Sequence, residues 1–112
     1  MIDWDKVVTV SEKSRQEFDK LYAVWKDERA DLVARITVQV GEHVYQGDEL
    51  SQSRMARFIA ASTSDADIVD WTLADNTVVT VTVSNLREAL RLAGVRQTEI
   101  WNDGRPIEVA SK

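Results

Sequence analysis

The sequence predicts an α+β fold with one antiparallel sheet, and two kinds of pattern support this prediction. Apolar residues recur every three or four positions in three separate stretches, which indicates amphipathic helices. In two other stretches apolar and polar residues alternate on either side of a turn, which indicates two β-hairpins. The predicted order is α-β-β-α-β-β-α, with about four strands in a single antiparallel sheet and helices on one face of it.

Length and composition indicate one globular domain. The chain has 112 residues, of which 44% are hydrophobic and 29% are charged, as is usual for a folded domain. No linker-like stretch divides it, so we expect a single domain over residues 1–112. Its predicted parts are a long N-terminal helix at about 11–34, a ββαββα module at about 35–102 and a short C-terminal tail at 103–112.

Charge and composition argue against several classes of partner. The net charge of −5 has the wrong sign for a surface that neutralises phosphates, so we expect no binding to nucleic acid. The chain has no cysteine, which excludes disulfides and thiolate nucleophiles. Because the N-terminus does not resemble a signal peptide and no stretch approaches about 20 apolar residues, we also expect no membrane insertion.

The first predicted helix is long and amphipathic. Ser14 followed by Glu17 forms a capping box, so this helix is expected to begin at Ser14 or one turn earlier at Ser11. Its apolar face holds residues at helical spacing: Phe18, Leu21, Tyr22, Trp25, Leu32 and Val33.

The first predicted hairpin follows at once. A two-residue turn at positions 41–42, with glycine first, pairs Val40 with His43 and Val38 with Tyr45. The only histidine and one tyrosine should therefore lie on the apolar face of the sheet.

A second helix is predicted to begin at Ser51. Serine is a good N-cap, and Leu50 before it can pack on Met55 as a hydrophobic staple. The cluster of turn-forming residues at positions 62–65 ends the helix.

The second hairpin has two possible loops, and the hydrophobic pattern decides between them. A two-residue loop at positions 75–76 would mix apolar and polar residues on each face. A three-residue loop, Ala74-Asp75-Asn76, pairs Trp71 with Val79 and Val69 with Val81, and so gathers nearly all the large apolar residues on one face. This loop requires its asparagine to adopt the left-handed conformation, which asparagine tolerates.

The last predicted helix is capped by Thr82 or Ser84. Gly94 could end it, but the apolar stripe continues in phase beyond that residue. We therefore expect the helix to run to about Trp101, with a weak point at Gly94.

No group of residues predicts a catalytic or metal site. His43 is a lone histidine without a serine or cysteine nucleophile in a recognisable motif, so we expect a packed or surface imidazole. Four aspartates, at positions 65, 67, 70 and 75, could suggest oxygen ligands. They lack the glycine and the bidentate glutamate of a calcium-binding loop, and they are expected to flank helices and turns. We therefore predict no catalytic residue, no metal and no cofactor.

The apolar stripes of the first and last helices supply the candidates for a binding surface. Trp71 is expected in the core, whereas Trp25 and Trp101 lie on helical stripes and could be either core residues or anchors of an interface. Tyr22 and Gln97, on the same two stripes, complete the set of candidate interface residues.

Several motifs together resemble one known family. The chain resembles an uncharacterised domain, named only by a domain-of-unknown-function number, that occurs in phage and prophage tail and tail-fibre-associated proteins. The resemblance spans roughly residues 20–102, and it rests on Tyr45-Gln46-Gly47-Asp48-Glu49-x-Ser51-x-x-Arg54-Met55, Trp71-x-x-Ala74-Asp75-Asn76, Leu86-Arg87-x-Ala89-Leu90 and Gln97-x-x-x-Trp101.

The resemblance implies a setting without a mechanism, because it carries over no catalytic residue. It implies a structural or assembly role in a phage or prophage tail, in the virion or in the cytoplasm of the bacterial host. The implied partners are tail proteins or another copy of the chain. The alternative is a small enzyme or ligand-binding domain, which would need a pocket with converging polar groups that the sequence does not predict.

The register of the second hairpin leads to a direct test. If Trp71 lies on the buried face, Trp71→Ala should lower the free energy of unfolding by about 3–5 kcal/mol. Thr72→Ala, on the opposite face, should cost much less. Chemical denaturation of both variants measures the difference, and equal losses would mean that the buried face is wrongly assigned.

Overall fold

The α+β class and the predicted element order are confirmed. The structure is a computed structural model that describes the backbone of residues 4–106 and the side chains of residues 14–106. Its elements in order are α1 (Trp4–Ala34), β1 (Thr37–Val40), β2 (His43–Gln46), α2 (Glu49–Ala61), β3 (Ile68–Thr72), β4 (Val78–Thr82) and α3 (Val83–Asn102).

The first helix begins earlier than the sequence predicted. It starts at Trp4 rather than at Ser11 or Ser14, and it ends at Ala34 as expected. No proline or glycine lies between positions 4 and 14 to interrupt a helix, so the capping box at Ser14 does not mark the start. The side chain of Ser11, the other predicted cap, lies outside the described residues, as do residues 107–112 of the predicted tail.

Both hairpins have the predicted register. In the first, Val40 pairs with His43 and Val38 pairs with Tyr45, while Gly41 has a φ of 61°. Tyr45 is fully buried and His43 is half-buried.

In the second hairpin, Val69 pairs with Val81 and Trp71 pairs with Val79. Asn76 has the predicted positive φ, at 68°. Trp71 is half-buried and packs against the core rather than within it, so the cost of Trp71→Ala should fall toward the lower end of its range.

The prediction of one four-stranded sheet is wrong. The two hairpins form separate two-stranded antiparallel sheets. They meet through one hydrogen bond, in which the backbone N–H of Ala74 donates to the carbonyl of Val44 over 3.0 Å. Ala74 lies beyond the end of β3, so this bond is not part of a ladder between the two hairpins.

The predicted cap of the second helix is also wrong. Helix α2 begins at Glu49, and its N-cap is Asp48, whose backbone is extended. Ser51 instead lies in the first turn, where its hydroxyl donates to the Asp48 carboxylate. Leu50 is 56% exposed, so no hydrophobic staple to Met55 forms. Asp48 takes the capping position because its negative charge is favourable at the positive end of the helix.

The third helix follows the prediction. The hydroxyl of Thr82 accepts a hydrogen bond from the backbone N–H of Asn85 over 3.2 Å, and α3 continues through Gly94 to Asn102. It packs against α1, α2, β1 and β4, and so lies at the centre of the fold. The core around it consists of Val33, Ile36, Val38, Tyr45, Met55, Leu73, Val81, Leu86, Ala89, Ala93 and Ile100.

Two glycines give a matched pair of stability predictions. A Cβ at Gly47 would lie 2.5 Å from Ile36 Cγ2 and 3.0 Å from the Ala93 Cβ, whereas a Cβ at Gly94 would meet nothing within 4 Å. We expect Gly47→Ala to lower the free energy of unfolding by about 1–3 kcal/mol because it overpacks the core. Gly94→Ala, inside α3, should raise it by about 0.5–1 kcal/mol. Urea denaturation measures both, and effects of the same sign would contradict the packing described for position 47.

Candidate interaction site

A row of aromatic side chains runs along α1 and onto the end of α3. The ring centroids of Phe18 and Tyr22 are 6.0 Å apart, and those of Tyr22 and Trp25 are 5.6 Å apart. Trp25 then meets Trp101 of α3 edge to face at 5.4 Å, a favourable arrangement for two aromatic rings. We call Phe18, Tyr22, Trp25 and Trp101 the aromatic row.

The inner end of the row fastens α1 to the end of α3. Trp25 is only 5% exposed, and its indole N–H donates to the backbone carbonyl of Asp103 over 2.8 Å. Two guanidinium groups lie over the Trp25 ring, Arg29 at 5.7 Å and Arg105 at 5.2 Å. Arg29 Nη2 also lies 3.9 Å from a carboxylate oxygen of Asp103, so these contacts join the two helices.

Cation–π contacts of this kind contribute most where the ring and the cation are shielded from water. The Arg29 side chain is 14% exposed, so its contact with Trp25 is better shielded than a surface pair. Asp103, by contrast, has an 81% exposed side chain, and its ion pair with Arg29 should add little. The indole hydrogen bond and the ring packing therefore carry most of the attachment.

The outer end of the row lies beyond this attachment. Phe18 and Tyr22 are half-buried, and they cover part of each other and of Trp25. Beside them Leu21 is 63% exposed and Val24 is 56% exposed. Over residues 14–24, α1 thus presents large apolar side chains to solvent.

The structure brings together three of the four predicted interface residues. Tyr22, Trp25 and Trp101 belong to the aromatic row, with Trp25 buried inside the chain and the other two half-buried. Gln97 belongs to a different group between α2 and α3. Its side-chain carbonyl accepts from Gln52 Nε2 over 2.7 Å, and its own amide donates to Glu49 over 3.0 Å. The interface role of all four residues stays a prediction.

Sequence reasoning missed the arginines that contact Trp25. The spacing of Trp25 and Arg29, four residues apart on a helix, is a signal that they lie on one face. No local pattern indicates Arg105, because it lies beyond the end of α3 and far from Trp25 in the sequence. Phe18 was placed on the helical stripe but not among the interface candidates.

His43 lines an open groove between the two hairpin turns. The groove has a volume of about 480 Å³ and includes Glu42, Asp75 and Thr77 in its lining. The Thr77 hydroxyl donates to the Asp75 carboxylate over 2.6 Å, which lowers the pKa of Asp75, and nearby His43 acts in the same direction. The one hydroxyl group in the lining is thus already bonded to a carboxylate. That His43 has no catalytic role stays a prediction.

The four aspartates considered as metal ligands have separate structural contacts. Asp65 pairs with Arg87 at 2.9 Å, and Asp70 accepts from the Thr80 hydroxyl at 2.8 Å. The backbone N–H of Thr63 donates to Asp67 over 2.8 Å, which lowers the pKa of Asp67. Among the side chains of residues 14–106, no three from histidine, aspartate or glutamate are grouped so that they could hold a metal ion.

Comparisons with known proteins give one match. The model of the family described as "Domain of unknown function (DUF4376)" matches residues 15–108, which is most of the chain. No curated protein and no solved structure gives a match. In the described part of the chain, no helix has both the length and the apolar composition that crossing a membrane requires.

The attachment at Trp25 can be tested with a double-mutant cycle. Trp25→Ala should lower the free energy of unfolding by about 3–5 kcal/mol, because it removes a buried indole. Combined with Trp101→Ala, it should show a coupling energy of about 0.5–1.5 kcal/mol, the contribution of the edge-to-face contact. Denaturation of the two single variants and the double variant measures the coupling. Additive losses would show that the two rings do not stabilise each other.

Proposed function

This chain belongs to the DUF4376 family, whose function is unknown, and we propose that it is a structural or assembly component of a phage or prophage tail that acts through protein–protein contacts. The tail setting derives from the motifs described under Sequence analysis. The mode of action derives from the surface of α1.

The observation that carries the proposal is the uncovered part of α1. The molecule measures 77 × 26 × 18 Å, and α1 has 31 residues, so the helix accounts for much of its length. Over residues 14–24 it presents Phe18, Leu21, Tyr22 and Val24 at the surface. Large apolar side chains are more stable in contact with other apolar surface than in contact with water.

A helix that presents an apolar stripe fits the groove or helical face of another protein. Tyrosine and tryptophan at such a stripe supply large contact areas with few rotatable bonds. The row is supported from within, because Trp25 holds the inner end of the stripe in place on α3 through its hydrogen bond to Asp103. A partner that binds Phe18 and Tyr22 would therefore contact a surface that is already ordered at one end.

The proposal can be tested by asking whether the chain is found with tail proteins. We would tag it in a host that produces the phage, separate tails and tail intermediates on a gradient, and identify proteins in each fraction by mass spectrometry. The test variant is Leu21→Glu/Val24→Glu, which places two charges beside the aromatic row. The control is Ala23→Glu/Ala30→Glu, which adds the same charges at two exposed positions on the opposite side of α1.

The unchanged chain and the control should be found with tail proteins, and the test variant should lose most of this association. Circular dichroism should show similar helix content in the two variants, because glutamate is a good helix former and each replacement changes helix propensity by less than about 0.7 kcal/mol. Absence of the unchanged chain from every tail fraction would overturn the tail assignment. Full association of the test variant would show that α1 is not the surface in contact.

A further inference from the structure

Strand β4 leaves its outer backbone edge unpaired. In the second hairpin, the backbone N–H of Leu73 donates to the carbonyl of Thr77, and the backbone N–H of Val83 donates to the carbonyl of Asp67. In an antiparallel ladder, hydrogen-bonded pairs alternate with non-hydrogen-bonded pairs. Every second residue of β4 between Thr77 and Val83 therefore directs its N–H and C=O groups away from β3. These residues are Val78, Thr80 and Thr82, of which Thr82, the N-cap of α3, already uses its carbonyl in the first turn of that helix. Among the described residues, no other strand pairs with β4.

The other strand edges are less open to pairing. The β3 edge faces the first hairpin at the hydrogen bond between Ala74 and Val44, and it carries the charged Asp70. Strand β1 is shorter, and only Thr37 and Gln39 direct their backbone groups away from β2. On β4, the outward-directed residues are uncharged, and the strand has no proline or bulge, which are the features that usually protect an edge.

We propose that β4 pairs with β4 of a second copy of this chain, antiparallel and centred on Thr80, to form a continuous four-stranded sheet. The two Thr80 residues would exchange N–H···O=C bonds across a two-fold axis, and Val78 of each copy would lie opposite Thr82 of the other. Such an isologous contact closes on itself and yields a dimer.

Charge and side-chain pattern favour a second copy as the partner. In this register the two Asp70 carboxylates are three strand spacings apart, about 14 Å, which exceeds the Debye length of about 10 Å at 0.1 M salt. On the inner face, Val79 of each copy would lie beside Val81 of the other. Val81 is already only 1% exposed in one chain, whereas Val79 is half-buried, so this pairing would cover more apolar surface of Val79 alone.

Sedimentation analysis and amide exchange together test the proposal. The test variant is Thr80→Lys, which sets two lysines directly opposite each other at the two-fold axis, while each can still pair with Asp70 of its own chain. The control is Thr72→Lys, which adds the same charge at an exposed position of β3 on the same face. Sedimentation would be followed from about 10 µM to 1 mM, because a contact this small is expected to be weak.

The unchanged chain and Thr72→Lys should form a dimer with rising concentration, and Thr80→Lys should weaken dimerisation by about tenfold or more. The amides of Val78 and Thr80 should exchange more slowly in the dimer. The amides of Val79 and Val81, already bonded to β3, should change little. A monomer at all concentrations, or a dimer that Thr80→Lys leaves unchanged, would overturn the proposal. Because α1 takes no part in this contact, neither result bears on the function proposed for the aromatic row.

Discussion

The fold depends on the close approach of its other elements to α3. Four side chains of this helix, those of Val83, Leu86, Ala89 and Ala93, are fully buried, and two of the four are alanines. The small side chains let the backbone at Gly47 approach α3 so closely that a Cβ there would lie 3.0 Å from that of Ala93. Since Gly47 joins β2 to α2, its position fixes how the first hairpin and α2 sit on either side of α3. Protein cores tolerate little error in such packing.

The sequence predicted those features that depend on short-range periodicity. The register of the second hairpin followed from the faces of Trp71 and Val79, because a slip of one residue moves every side chain to the opposite face. The continuation of α3 through Gly94 followed from the phase of its stripe. These predictions used residues close together in the sequence, where backbone geometry leaves few alternatives.

The features that were missed depend on competition between nearby residues or on distant contacts. Asp48 and Ser51 are both good caps, and sequence alone did not show that the aspartate would take the N-cap position. Whether the two hairpins pair with each other depends on contacts between residues far apart in the sequence, such as Ala74 and Val44. The part of the candidate site on α1 was predictable, because Tyr22 and Trp25 lie on one helical stripe and are close together in the sequence. The attachment of Trp25 to Asp103 joins residues 78 positions apart, and no periodicity records such a contact.

Two segments of α1 differ in what holds them helical. Residues 25–33 are held by the buried side chains of Trp25 and Val33, whereas residues 14–24 have no buried side chain. An unpacked helical segment depends on intrinsic propensity and on neighbouring side-chain pairs, and such segments are marginal in water. The contacts of Phe18 with Tyr22 and of Lys26 with the Tyr22 ring at 6.0 Å are the kind of local support that remains. A protein that covered the aromatic row would therefore add packing to a segment of α1 that has no buried side chain. Its binding free energy would include stabilisation of the helix, so that binding and helix stability on this segment are thermodynamically linked.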